Sequence, residues 1–159
     1  MDKRKLIQAF IVQLENDLLA LKAAAQATYE AATHEENKPE NEYDTRGLEA
    51  SYLAGAQAKR AGEIDEVLSL FHHLPCKDFA PLEPISATAL VEVETRGKKS
   101  FLFLMPKGGG VSLRFEGTPV QVVTPNSLLG EGLLGLRKGE TAEIEIGEEL
   151  KTYEILGVY

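Results

Sequence analysis

Residues 7 to 28 read IQAFIVQLENDLLALKAAAQAT. Within this stretch Ile7, Ile11, Leu14, Leu18, Leu21, Ala25 and Thr28 recur at alternating steps of four and three. That is the period at which one face of a helix meets a partner helix, and it does not fit the two-residue alternation of a half-buried strand. The spacing predicts a helix over Lys3 to Thr33. A second run keeps the same steps at Ala50, Ala54, Gln57, Ala61, Ile64, Leu68 and Phe71, with its small residues first and its large ones last. Pairing the two runs antiparallel gives a hairpin that is thick at its base and thin at its tip. Pro75 cannot continue a helix and restricts the residue before it, so the second helix should stop near Leu74.

The segment that turns the chain is as informative as the helices. Residues 33 to 44 read THEENKPENEYD, and Pro39 forbids an uninterrupted helix through them. Two helices of about thirty residues at ~1.5 Å per residue make an arm on the order of 45 Å, longer than a small core requires. Glu35, Glu36, Glu40, Glu42 and Asp44 crowd its tip, offset only by Lys38 and Arg46. Acids at the start of a helix stabilise its dipole by about 0.3–1 kcal/mol each, which accounts for Glu40 and Glu42. It does not account for Glu35 and Glu36, which fall at the unfavourable end of helix one. Clustered carboxylates are the hard oxygen ligands that Mg²⁺ takes, often in a site shared with a second component. His34 reads as a surface or capping residue.

Gly47, Gly55 and Gly62 each cost about 0.8–1 kcal/mol relative to alanine inside a helix, and so imply close helix approach or local bending. His72 and His73 suit a helix C-terminus but lack acid or cysteine neighbours at ligand spacing. Cys76 is the single cysteine. It cannot form an intramolecular disulfide, and it reads as an ordinary buried thiol.

The net charge is −8, and residues 1–83 hold fifteen acids against nine bases. Such a chain gains little counterion-release energy from phosphates, which disfavours autonomous nucleic-acid binding. A protein partner with basic surfaces fits better. No apolar run approaches a membrane span and the N-terminus is charged, so a cytoplasmic protein without membrane association is expected.

Past Pro75, Pro81 and Pro84 the period changes from helix to strand. The expected organisation is α+β: a hairpin over 1–75, a linker over 76–84 and a β-rich domain over 85–159. Residues 87–94 alternate, Arg96-Gly97 suits a hairpin turn, and Ser100 to Met105 forms the second strand. Further strands are expected at Val111–Phe115, Val120–Thr124, Thr141–Ile146 and Lys151–Leu156, with a short helix over Leu128–Leu134. Their core should include Val91, Phe101, Phe103, Val122, Leu134, Ile144 and Ile155. Gly108-Gly109-Gly110 lacks the Lys-Ser/Thr of a phosphate loop and reads as a turn, while Gly130-Glu131-Gly132 reads as helix punctuation. No nucleophile–base set is apparent, because every histidine lies in the first half of the chain.

Four segments resemble the Gre transcript-cleavage factors of bacterial RNA polymerase. Residues 123–140, VTPNSLLGEGLLGLRKGE, resemble the family's Ser-Pro-Ile/Leu-Gly segment, and Tyr153 to Leu156 its closing strand. Glu40-Asn41-Glu42-Tyr43 resembles a tip motif shortened by one residue, and Glu63-Ile64 with Glu66-Val67-Leu68 a seam of similar type. The resemblance implies a coiled-coil hairpin joined to an FKBP-like β domain. It further implies a monomer whose hairpin enters the polymerase secondary channel, meeting nucleic acid only inside that complex. The tip acids then help hold a Mg²⁺ shared with the polymerase, none being tightly bound by the factor alone. Counting back from Tyr43 places Glu36 at the first family acid and Pro39 at the second, whereas a deletion after Asn41 places Glu40 there. Glu36 and Glu40 are therefore the candidate catalytic and metal-facing pair, with Glu35, Glu42 and Asp44 as alternates. A non-cleaving regulator of the same channel is the alternative within the class. A folding helper of the prolyl isomerase type and a coiled-coil dimerisation module are the alternatives outside it.

Overall fold

The computed structural model describes residues 1–33 and 46–159. In chain order they form α1 (Lys3–Thr33), α2 (Arg46–His72), β1 (Leu90–Thr95), β2 (Lys98–Leu104), β3 (Ser112–Phe115), β4 (Thr118–Val123), α3 (Leu128–Leu133), β5 (Thr141–Ile146) and β6 (Glu149–Val158). The class is α+β, with helices first and a six-stranded mixed sheet after them. The chain divides into two compact units, Ile11–His72 and the pair of segments Met1–Phe10 with His73–Tyr159.

In the helical unit the less exposed positions of α1 are 11, 14, 18, 21, 25 and 28, and the residues between them are mostly exposed. Along α2 the same holds at 50, 54, 57, 61, 64, 68 and 71. The buried apolar side chains of this unit, among the described residues, are Ile11, Leu14, Leu18, Val67 and Phe71. Each stabilises the pairing by roughly 1.5–3 kcal/mol. Glu15, near the start of the helical unit's share of α1, lies 3.8 Å from His72 at the end of α2, so the helices run in opposite directions with the bulky residues gathered at that end. Val67 is buried although the four-and-three spacing passes it by, because two neighbouring positions, 67 and 68, share the seam where the side chains are largest.

The interior glycines of α2 correct one expectation. A Cβ built on Gly47, Gly55 or Gly62 meets nothing within 4 Å, so no close helix approach among the described residues demands them.

The sheet unit has strand order β3-β4-β2-β1-β6-β5. Every neighbouring pair is antiparallel except β2 and β4. The uninterrupted Phe101-Leu102-Phe103-Leu104 run occupies an inner strand and is buried on both faces, which is why it lacks polar alternation. Arg96 and Gly97 join β1 to β2 with φ of 50° and 71°, the left-handed pair that a two-residue hairpin of native twist requires. Residues 87–89 do not extend β1 as the alternation suggested. Thr88 sits at φ 69°, outside the extended region, and its N–H donates to the Leu104 carbonyl.

One sheet face carries Val91, Val93, Leu102, Leu104, Ile144 and Ile155 in a core that also holds Leu133 from α3. Register places Leu90, Phe103 and Val122 on the other face. There Phe10 meets the Phe103 ring at 6.3 Å between centroids, and Leu6, one turn earlier, is fully buried. The opening of α1, residues 3–10, thus belongs with the sheet unit.

Candidate functional site

Every tip residue singled out by sequence, Glu35, Glu36, Glu40, Glu42 and Asp44 together with His34, lies outside the described residues. What is described is the unit that carries them. Ile11–His72 holds twelve acids against five bases, whereas the remainder of the chain is nearly balanced at thirteen against twelve. Nearly all of the net charge of −8 is therefore concentrated in the helical unit. Among the described residues no group of three or more His, Cys, Asp or Glu side chains is placed to hold a metal ion. Among the described residues His72 lies 3.8 Å from one carboxylate, that of Glu15. Also among the described residues, no helix is long and apolar enough to cross a membrane.

The glycine-rich stretch of residues 123–140 is built by backbone approach. Ser127 caps α3: its hydroxyl accepts from the Gly130 N–H at 3.1 Å and donates to the Thr124 carbonyl at 2.7 Å. A Cβ on Gly130 would fall 2.0 Å from that same carbonyl, so only glycine lets the helix close over the end of β4. Gly135, at φ 80°, turns the chain so that its N–H reaches the Ile85 carbonyl and Ile85 in turn donates to Leu136. Gly139 at φ 88° donates to Ile155. These bonds stitch the stretch to residue 85 and to β6, a structural use of its glycines. Leu134, expected in the core, is 39% exposed. It is the C-cap of α3, and its extended backbone (φ −56°, ψ 133°) takes the side chain off the buried face that Leu133 occupies.

A second constellation was not legible in the sequence. Lys3 opens α1 and is only 7% exposed. Its ammonium donates to the Lys77 carbonyl at 2.8 Å and to the Tyr159 carbonyl oxygen at 3.0 Å. It also stands 5.0 Å from the centroid of the Phe79 ring and 5.8 Å from that of Phe103. Burial holds its pKa below the ordinary lysine value, with the Cys76 thiol and Asp78 opposing that shift and Lys77 adding to it. Lys3 borders a cavity of about 370 Å³ shared with Met1, Asp2, Arg4, Cys76, Asp78, Phe79 and Tyr159. Cys76 is thus partly exposed at a cavity wall, where the sequence suggested a buried thiol. Tyr159 donates its phenol to Glu92 at 3.1 Å, and burial followed by that acceptor raises its pKa. Nothing in the pattern Lys3-Arg4-Lys5 marks the first lysine as the buried one. The only signal is that it falls one turn before Leu6 and two before Phe10 on the face that docks.

No protein-family model matches the chain, and no curated protein matches it. Among solved structures it is similar to the GreA factor homolog 1 (Gfh1) of Thermus thermophilus, at 17% identity over 94% of each chain and a TM-score of 0.38. Gfh1 of Thermus aquaticus shows 16% identity over 96% of this chain and 95% of that one, with a TM-score of 0.39. The elongation factor GreA/GreB of Nitrosomonas europaea shows 18% identity over 70% of this chain and 91% of its own, with a TM-score of 0.37.

Proposed function

We propose that this chain is a transcription factor that binds bacterial RNA polymerase and presents its acidic hairpin to the polymerase secondary channel. The observation that supports this reading best is the mismatch between the helical unit's size and its core. Helices of 31 and 27 residues bury seven large apolar side chains, all towards one end and two of them, Leu6 and Phe10, in the sheet unit, while the helical unit carries twelve acids. A helix pair built only to stabilise a sheet has no need of that length or charge. In this reading Glu36 and Glu40, with Glu35, Glu42 and Asp44 as alternates, offer carboxylates to a Mg²⁺ held jointly with the polymerase, since that ion prefers hard oxygen ligands. The FKBP-like sheet unit makes the contact that recruits the factor.

The test is co-purification with RNA polymerase, followed by RNA cleavage on a backtracked complex. The parent and the double variant Glu36→Gln, Glu40→Gln should both be retained by the polymerase, because the substitutions keep side-chain size and leave the sheet unit untouched. Only the parent should alter cleavage or initiation. A parent that alters initiation without cleavage is the non-cleaving regulator. If the parent fails to bind, the reading is wrong; if the double variant matches the parent, the acids are merely a solvated cap.

A further inference from the structure

The seam between α1 and α2 changes character along its length. At the end that holds His72 it is closed by Ile11, Leu14, Leu18, Val67 and Phe71, all buried. Outward of Leu18 and Ile64 it passes to Leu21, Ala25 and Thr28 on α1 and to Ala50, Ala54, Gln57 and Ala61 on α2, none of which is fully enclosed. Small side chains remove little apolar area from water, so each turn of this outer part contributes little to the pairing. The large apolar residues found there do not fill the seam: Tyr29, Leu48, Tyr52 and Leu53 are each more than half exposed. Gly55 inside the outer part and Gly62 at its border each lower the helix equilibrium about fourfold relative to alanine, and a Cβ at either meets nothing within 4 Å. Gln57 buries its Oε1 without a hydrogen-bond partner among the described residues. A desolvated acceptor of this kind regains water when the helices part, which favours their parting.

From this grading we infer that the hairpin is two cooperative pieces: a closed base, and an outer segment of residues 19–33 with 46–61 whose helices separate and reclose while the base stays shut. Each outer portion is about fifteen residues long, a length at which a single helix is marginal in water, so neither holds its shape once the seam opens. The base opens by a different event. Releasing Leu14 and Phe71 exposes large apolar side chains, whereas the outer seam exposes mainly alanine, so the outer opening responds less steeply to denaturant. The device lets the far part of the arm fit itself to a surface while the base keeps the two helices joined. It rests on the described helices alone, and holds or fails apart from the polymerase reading.

Hydrogen exchange of the full chain tests it, read by mass spectrometry on peptides from both pieces at several urea concentrations below the unfolding transition. Amides of the outer segment should be protected roughly a hundredfold less than those of residues 11–18 and 64–71, and their protection should fall less steeply with urea. Gln57→Leu, which replaces the unmet oxygen by an apolar group, should slow exchange in the outer segment about tenfold. Leu14→Ala is the discriminating variant: it should speed exchange in the base at least about tenfold and leave the outer segment within about twofold of the parent. Should Leu14→Ala fail to fold, Ile11→Val asks the same question with an effect of about threefold on the base. Equal protection along the whole hairpin would overturn the inference. So would one urea dependence shared by both pieces, or a base substitution that speeds exchange in both alike, since either would show that the helices open as a single unit.

Discussion

At the scale of single residues the structure separates glycines that the fold requires from glycines that it merely carries. Gly130 cannot accept a methyl group because the obstacle, the Thr124 carbonyl, is backbone fixed by β4 and by the Ser127 hydroxyl. Gly130→Ala should therefore destabilise the protein by about 3 kcal/mol, seen as a lower denaturant midpoint with unchanged slope. Gly132 meets only the end of the Ile144 side chain, which can turn aside, so Gly132→Ala should cost visibly less. Lys3 makes a prediction of a different kind. Its folded pKa lies below the ordinary value of 10.5, so the unfolded chain holds the proton more tightly across that interval. Stability relative to Lys3→Met should stay flat while both states are protonated and rise as pH climbs through the folded pKa towards 10.5. Tyr159 acts oppositely, since its raised pKa contributes stability below 10 that is lost as pH rises. The difference between parent and Lys3→Met isolates the lysine, and a difference that falls with pH would contradict the assignment.

At the scale of elements, α1, α3 and β5 were legible almost to the residue because their side chains are all the information their periods need. Both helices of the hairpin also showed their seams in the sequence, down to the polar Gln57, whose Oε1 is buried without a hydrogen-bond partner in the described structure. What sequence spacing could not show was the use of glycine in α2. Helix propensity says that a glycine there is costly, but whether the cost is repaid depends on what lies opposite, which is three-dimensional information. Nothing lies within 4 Å of a Cβ at Gly55 or Gly62, and both are exposed. Each change to alanine should stabilise the helical unit by about 0.8–1 kcal/mol, measured by thermal or denaturant unfolding. The two should add, being two turns apart without a shared partner. A loss of stability would mean that α2 needs a bend at these points. Thr88 and Leu134 escaped the sequence for a related reason: each takes a backbone conformation set by its hydrogen-bonded surroundings, and neither residue type announces it.

At the scale of the whole molecule, the sheet unit is discontinuous in sequence, and this is the feature hardest to read from one dimension. The prolines at 75, 81 and 84 suggest that everything after them folds alone, yet Lys3, Leu6 and Phe10 are at most 7% exposed and Lys3 and Phe10 touch residues of the second half of the chain. Removing residues 1–10 uncovers Phe103 and strips the Lys77 and Tyr159 oxygens of their shared donor. Leu6 and Phe10 alone represent about 3–6 kcal/mol of apolar burial, a large share of the 5–15 kcal/mol that holds a typical domain together. A fragment of residues 73–159 should therefore unfold at a much lower temperature than the intact chain's sheet unit, or bind a hydrophobic dye in its native buffer. Adding a peptide of residues 1–10 to the fragment should restore part of the lost stability, whereas the same peptide with Phe10→Ala and Lys3→Met should not. A fragment that is as stable alone as in the full chain, and dye-free, would show that the start of α1 is an ornament on a domain that begins after Pro84.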